Sequence, residues 1–165
     1  MNRPFVLLLA AFAMACGTDP YADISGSVAG SKFSPQAFFW GGPFIVFTDK
    51  AYECMDMYWV KRGPNYETGG EVPVEEDLTA LLFTYEDPEV VTGDLSLEGD
   101  APVDARMLVV KNGALTVYRG ETGNLDVTEI GEEEDAVGSF NVGFDEGELT
   151  GDFQVEWCTN VTSKY

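Results

Sequence analysis

The chain contains no histidine, and its 9 basic residues face 29 acidic ones, a formal net charge of −20. Without histidine, Ser-His-Asp and Cys-His nucleophilic systems cannot be assembled from this chain, and the usual zinc sites are lost with them. The scarcity of Lys and Arg excludes nucleic acid as a partner, because phosphate binding needs clustered positive charge. It also removes any electrostatic attraction to anionic membrane surfaces. No Gly-rich phosphate loop opens a helix, and helical periodicity is absent after the first residues. Paired carboxylates, as in glycoside hydrolysis, are the catalytic option left. With so many acids some pair falls close by chance, so the chain reads as non-catalytic. A carboxylate-dependent hydrolase is the least favoured alternative.

Long apolar runs are missing too. One unbroken apolar stretch, Phe5 to Ala15, follows Arg3 and covers about eleven residues. That is well short of the roughly twenty needed to span a bilayer as a helix. One basic residue before a short apolar run is the layout of an export signal. Ala13-Met14-Ala15 fits the small-x-small pattern of ordinary signal peptidase, and the same residues followed by Cys16 look like the lipobox of bacterial lipoproteins. Ala13 stands where the usual lipobox has Leu, and Met14 is also atypical. The expected organisation is a signal peptide over 1–15, a lipidated Cys16 with a short tether to residue 23, and one domain over 24–165. Simple secretion is the alternative.

Cysteine is nearly absent: Cys16, Cys54 and Cys158 are the full set. An odd count in an exported chain leaves one thiol over. Acylation of Cys16 would make the remainder even, with Cys54 and Cys158 as a disulfide in an oxidising compartment. Two free buried thiols are the alternative. No Cys-x-x-Cys arrangement supports a redox-active pair.

What the chain does have is short apolar stretches punctuated by Gly, Pro, Asn and Asp, which is all-β text. The expected fold is an antiparallel β-sandwich or small β-barrel of about eight strands. Ala105 to Lys111 and Ala114 to Arg119 flank Asn112-Gly113, a strong hairpin signal because both residues tolerate positive φ. Val137 to Val142 is echoed by Thr150 to Val155, with Asp145 to Glu148 between them as the turn. Further strands are expected at Ile24 to Val28, Pro43 to Thr48, Leu78 to Tyr85, Gly93 to Leu97 and Leu125 to Ile130. Lys50 to Val60 fits either a strand or a helical turn.

Two clusters invite ligand readings. Glu132, Glu134 and Asp135, with Asp145, Glu148 and Asp152, supply hard oxygen ligands and are the calcium candidates. They lack the alternating spacing of a calcium loop, so a solvated acidic surface is the simpler reading and no cofactor is expected. Aromatics crowd Phe38 to Tyr66: Phe38, Phe39, Trp40, Phe44, Phe47, Tyr52, Tyr58, Trp59 and Tyr66. Such rings can stack on a sugar or grip a partner. Core filling accounts for most of them, with Phe44 and Val46 opposite Ile45 and Phe47 on a strand buried on both faces.

Several short segments carry a family likeness. They are the Ala15-Cys16-Gly17 junction, Ile-x-Gly-x-Val-x-Gly over Ile24 to Gly30, Asp49 four residues ahead of Cys54, and Leu149-Thr150-Gly151-Asp152-Phe153 followed by Cys158. In these features the chain resembles small envelope lipoproteins of Gram-negative bacteria. The resemblance implies a β-rich, disulfide-closed domain on the cell envelope. Gly17 in place of Asp after the cysteine implies sorting to the outer membrane. That group has no established activity to carry over. The expected role is therefore non-catalytic, with the membrane engaged through lipid and an envelope protein or glycan as partner. A calcium- or carbohydrate-binding module on the same anchor is the alternative.

Overall fold

The computed structural model describes residues 19–42, 44–56, 77–85, 92–98, 103–130 and 135–159. The described residues form ten strands: β1 (Tyr21–Val28), β2 (Ser31–Lys32), β3 (Ala37–Gly41), β4 (Phe44–Thr48) and β5 (Leu78–Tyr85), then β6 (Gly93–Ser96), β7 (Val103–Lys111), β8 (Ala114–Ile130), β9 (Ala136–Phe144) and β10 (Gly147–Trp157). Seven of them, in the circuit β10, β3, β4, β5, β7, β8, β9 and back to β10, close a barrel. β1 and β2 extend the wall beyond β10, and β6 extends it beyond β8. The fold is the expected all-β barrel, with ten strands in place of about eight. All pairings are antiparallel except the closing one between β10 and β3.

Turn chemistry sets much of this. Asn112 and Gly113 both hold positive φ (52° and 75°), and Lys111 pairs with Ala114 across them, the two-residue hairpin that Asn-Gly favours. Asp145 and Glu146 form an equally tight turn, because Phe144 already pairs with Gly147. Gly147 and Glu148 thus belong to β10 and not to the turn.

The near-repeat in β9 and β10 has a packing reason. Gly138 pairs with Phe153, and Gly151 pairs with Phe140. Each phenylalanine lays its ring over the glycine of the opposite strand: a Cβ added at Gly138 would lie 2.7 Å from Phe153 Cζ, and one at Gly151 would lie 3.1 Å from Phe140 Cε1. An aromatic ring covering a cross-strand glycine restores the packing that glycine lacks. The two Gly-x-Phe segments are halves of one hairpin.

Phe140 and Phe153 meet Phe47 of β4 and Phe83 of β5 in the barrel, with ring centroids 5.2–6.5 Å apart. These rings fill the centre of the barrel. Tyr85, at the end of β5, is 1% exposed, and its hydroxyl has no hydrogen-bond partner among the described residues. Burial holds its phenol well above the ordinary tyrosine range, so it stays protonated.

Several boundaries differ from the sequence expectation. The expected tether reaches residue 23, but Tyr21, Ala22 and Asp23 pair with Gln154, Phe153 and Asp152 and so belong to β1. Strands expected separately at Ala114 to Arg119 and Leu125 to Ile130 are one 17-residue strand. β8 passes from one neighbour to the next at Gly120, with a register shift between Gly120 and Thr122. β3 was not expected as a strand. It is buried on both faces, with Ala37 and Phe39 in one cluster and Trp40 in the other, so it shows no alternation. Lys50 to Asp56 contains no strand and turns at Cys54 to Asp56; the rest of that segment lies outside the described residues.

Candidate functional site

The barrel closes on a narrow seam. Only two residue pairs join β10 to β3, Glu156 with Phe39 and Trp157 with Trp40, and the Cys158 amide then donates to the Trp40 carbonyl at 2.8 Å. Two features reinforce it. Trp40 and Trp157 meet edge to face with centroids 4.5 Å apart. Cys158 is bonded to Cys54, with Cα atoms 5.5 Å apart. The segment carrying Cys54 is anchored in turn: Thr79 N donates to Asp49 Oδ1 at 2.8 Å, and Thr48 Oγ1 donates to the Lys50 carbonyl at 2.9 Å. The disulfide closes a loop of 104 residues, for which chain entropy alone is worth up to about 4.7 kcal/mol. This is the cysteine pairing expected from the count.

Cys16 and residues 1–15 lie outside the described residues, as do Glu132, Glu134, Tyr58, Trp59 and Tyr66. The remaining calcium candidates are dispersed. Asp135 accepts a hydrogen bond from Gln154 Nε2 at 2.8 Å. Asp145 sits in the β9–β10 turn, and Glu148 and Asp152 are four residues apart on β10, about 13 Å along an extended strand. Among the described residues no three acidic or cysteine side chains group as metal ligands. Of the aromatics, Phe39, Trp40 and Phe47 are buried, and Phe38, Phe44 and Tyr52 are half-buried.

The structure assembles instead a surface that sequence spacing did not reveal. On the outer face of the sheet formed by β1, β10, β9, β8 and β6, cross-strand register aligns Asp23, Asp152, Ser139, Asp126 and Asp94 in one row. The neighbouring row is Ser25, Thr150, Asn141, Asn124 and Ser96. Adjacent strands lie about 4.8 Å apart, so these polar groups recur at strand spacing. Asp23 stands directly opposite Asp152, and Asp126 opposite Asp94, like-charge pairs that weaken the sheet locally. Asn124 Nδ2 donates to Asp94 Oδ1 at 2.7 Å, and the Ser25 and Thr150 hydroxyls share a hydrogen bond of 2.9 Å. Two shallow, open grooves of about 400 and 330 Å³ run along this face, and Asp23, Ser139 and Asp152 line both. These two rows contain no lysine or arginine. Carboxylates, amides and short hydroxyls on a flat sheet can accept hydrogen bonds from ammonium or guanidinium groups. No family model matches the chain, and no curated protein or solved structure matches it either.

Proposed function

We propose that this chain is an exported protein, lipid-anchored through Cys16 at the outer membrane, whose barrel has a non-catalytic binding or surface-structural role in the cell envelope. The observation that carries the reading is the bond between Cys54 and Cys158. It suits an oxidising compartment, and it leaves Cys16 as the one remaining cysteine, at the end of an export-type segment. The barrel centre is packed with phenylalanine rings, and two open grooves lie on the outer polar face. These features favour a role at the surface of the barrel over one inside it.

Mass spectrometry of the protein from its native membrane tests the anchor: an acylated Cys16 at the mature N-terminus is expected, and Cys16→Ser should release the protein from the membrane fraction. An unmodified Cys16 in a soluble, unanchored protein refutes the reading. Calcium binding on the same anchor is the second reading, favoured by the facing carboxylates of Asp23 and Asp152. It requires a rise in melting temperature with millimolar calcium, and an unchanged melting temperature removes it.

A further inference from the structure

Among the described residues, the wall of the molecule has an open edge at β1. On one side, β1 pairs with β10 along its whole length, Tyr21 with Gln154 through Val28 with Gly147. On the other side, β2 pairs only with Ser27 and Val28. Tyr21 to Gly26 therefore present a row of backbone N–H and C=O groups with no strand partner among the described residues. Such an edge is a template for one more strand, and six residues is an ordinary strand length.

The two faces of β1 specify what that strand would carry. Tyr21, Asp23 and Ser25 point outward and are exposed, and Asp23 lies beside Asp152 on the next strand. Ala22 and Ile24 point inward, half-buried and packed against the barrel core. We infer that the β1 edge receives an extended segment of a basic partner protein, in which Lys or Arg alternates with apolar residues. The basic side chains extend the outer row next to Asp23, and the apolar ones cover Ala22 and Ile24. Main-chain hydrogen bonds supply affinity in such strand addition, and alternate side chains supply specificity. A second copy of this chain is disfavoured as the occupant, because it would bring a further −20 of charge against an acidic face.

This inference rests on the binding role proposed above and not on the lipid anchor. The test uses the full chain and a terminally blocked peptide of alternating Lys and Val, labelled for fluorescence anisotropy. Saturable binding is expected. It should be lost when alternate amides are N-methylated, and weakened about tenfold by Asp23→Lys. Asp94→Lys, at the far end of the same row, should weaken binding less. Three results overturn the inference: binding that survives N-methylation, equal losses for Asp23→Lys and Asp94→Lys, or a dimer of the chain that excludes the peptide. If the peptide fails while an envelope protein is captured by a surface other than β1, the edge assignment falls and the binding role stands.

Discussion

The two halves of the barrel wall are built to opposite rules. In β1, β10, β9, the second half of β8 and β6, inward residues are mostly apolar and outward residues mostly polar, so Phe153 and Val142 are fully buried while Asp152 and Asn141 are exposed. In β3, β4, β5 and β7 most outward residues are apolar as well, with Thr48, Thr84, Asp104 and Arg106 the polar ones. Ala37, Phe39, Val46, Ala80, Leu82, Leu108 and Val110 form a second buried cluster, joined by Cys158. One wall has a single core behind it, and the other is sandwiched between two. A strand buried on one face advertises itself by alternation; a strand buried on both does not.

The sharpest way to break this comparison is to exchange chemistry between the outward faces. Leu108 is 2% exposed although it faces out of the barrel, opposite Ala80 and Val117. Leu108→Asp buries an unpaired carboxylate and should cost more than about 4 kcal/mol, seen as loss of cooperative unfolding. If it is tolerated, the second cluster is not a core. Removing the disulfide by the double change Cys54→Ser and Cys158→Ser should cost about 2–5 kcal/mol in denaturant titrations, because the seam it supports has only two residue pairs.

A smaller effect of opposite sign is expected at Tyr85. Tyr85→Phe removes a buried hydroxyl that has no partner among the described residues and should stabilise the protein by about 1 kcal/mol at neutral pH. The folded-state pKa is raised, so the benefit of keeping the phenol neutral is present below the unfolded value. It is lost as pH rises above about 10. Relative to the phenylalanine variant, the wild type should therefore lose stability further in that alkaline range, and parallel pH profiles would contradict the burial argument. The least effect belongs to the polar wall: Asp152→Asn relieves the like-charge pair with Asp23 and should stabilise by a few tenths of a kcal/mol. A thermal melt at low salt would register it, and a clear loss of stability would mean that the carboxylate has a partner on this face.

The same contrast governs what could be read from the residues. The Asn112-Gly113 hairpin was legible because its turn needs two positive φ values that few residue pairs supply. Leu78–Tyr85 was bounded correctly by its own apolar run, and the pairing of Cys54 with Cys158 followed from the cysteine count. β3 was visible only as aromatic density, since Phe38, Phe39 and Trp40 show no period when both faces are covered. β8 was split between Arg119 and Leu125 because a register shift within one strand looks, locally, like a gap between two. The row Asp23, Asp152, Ser139, Asp126 and Asp94 was the least legible. Its members come from five strands, and their alignment depends on sheet order and register, neither of which is encoded near any one of them.

The closing pair of β10 with β3 also constrains the order of assembly. β10 is the last strand described, yet it is the neighbour of β1, β3 and β9. A growing chain that has emerged only through β9 can pair β3, β4, β5, β7, β8 and β9 in series, but it leaves β1 adrift and the sheet uncurled. Loop closure over more than a hundred residues comes at the final step, and such distant pairings are slow to form. Synthesis must therefore reach β10 before a native ring is possible.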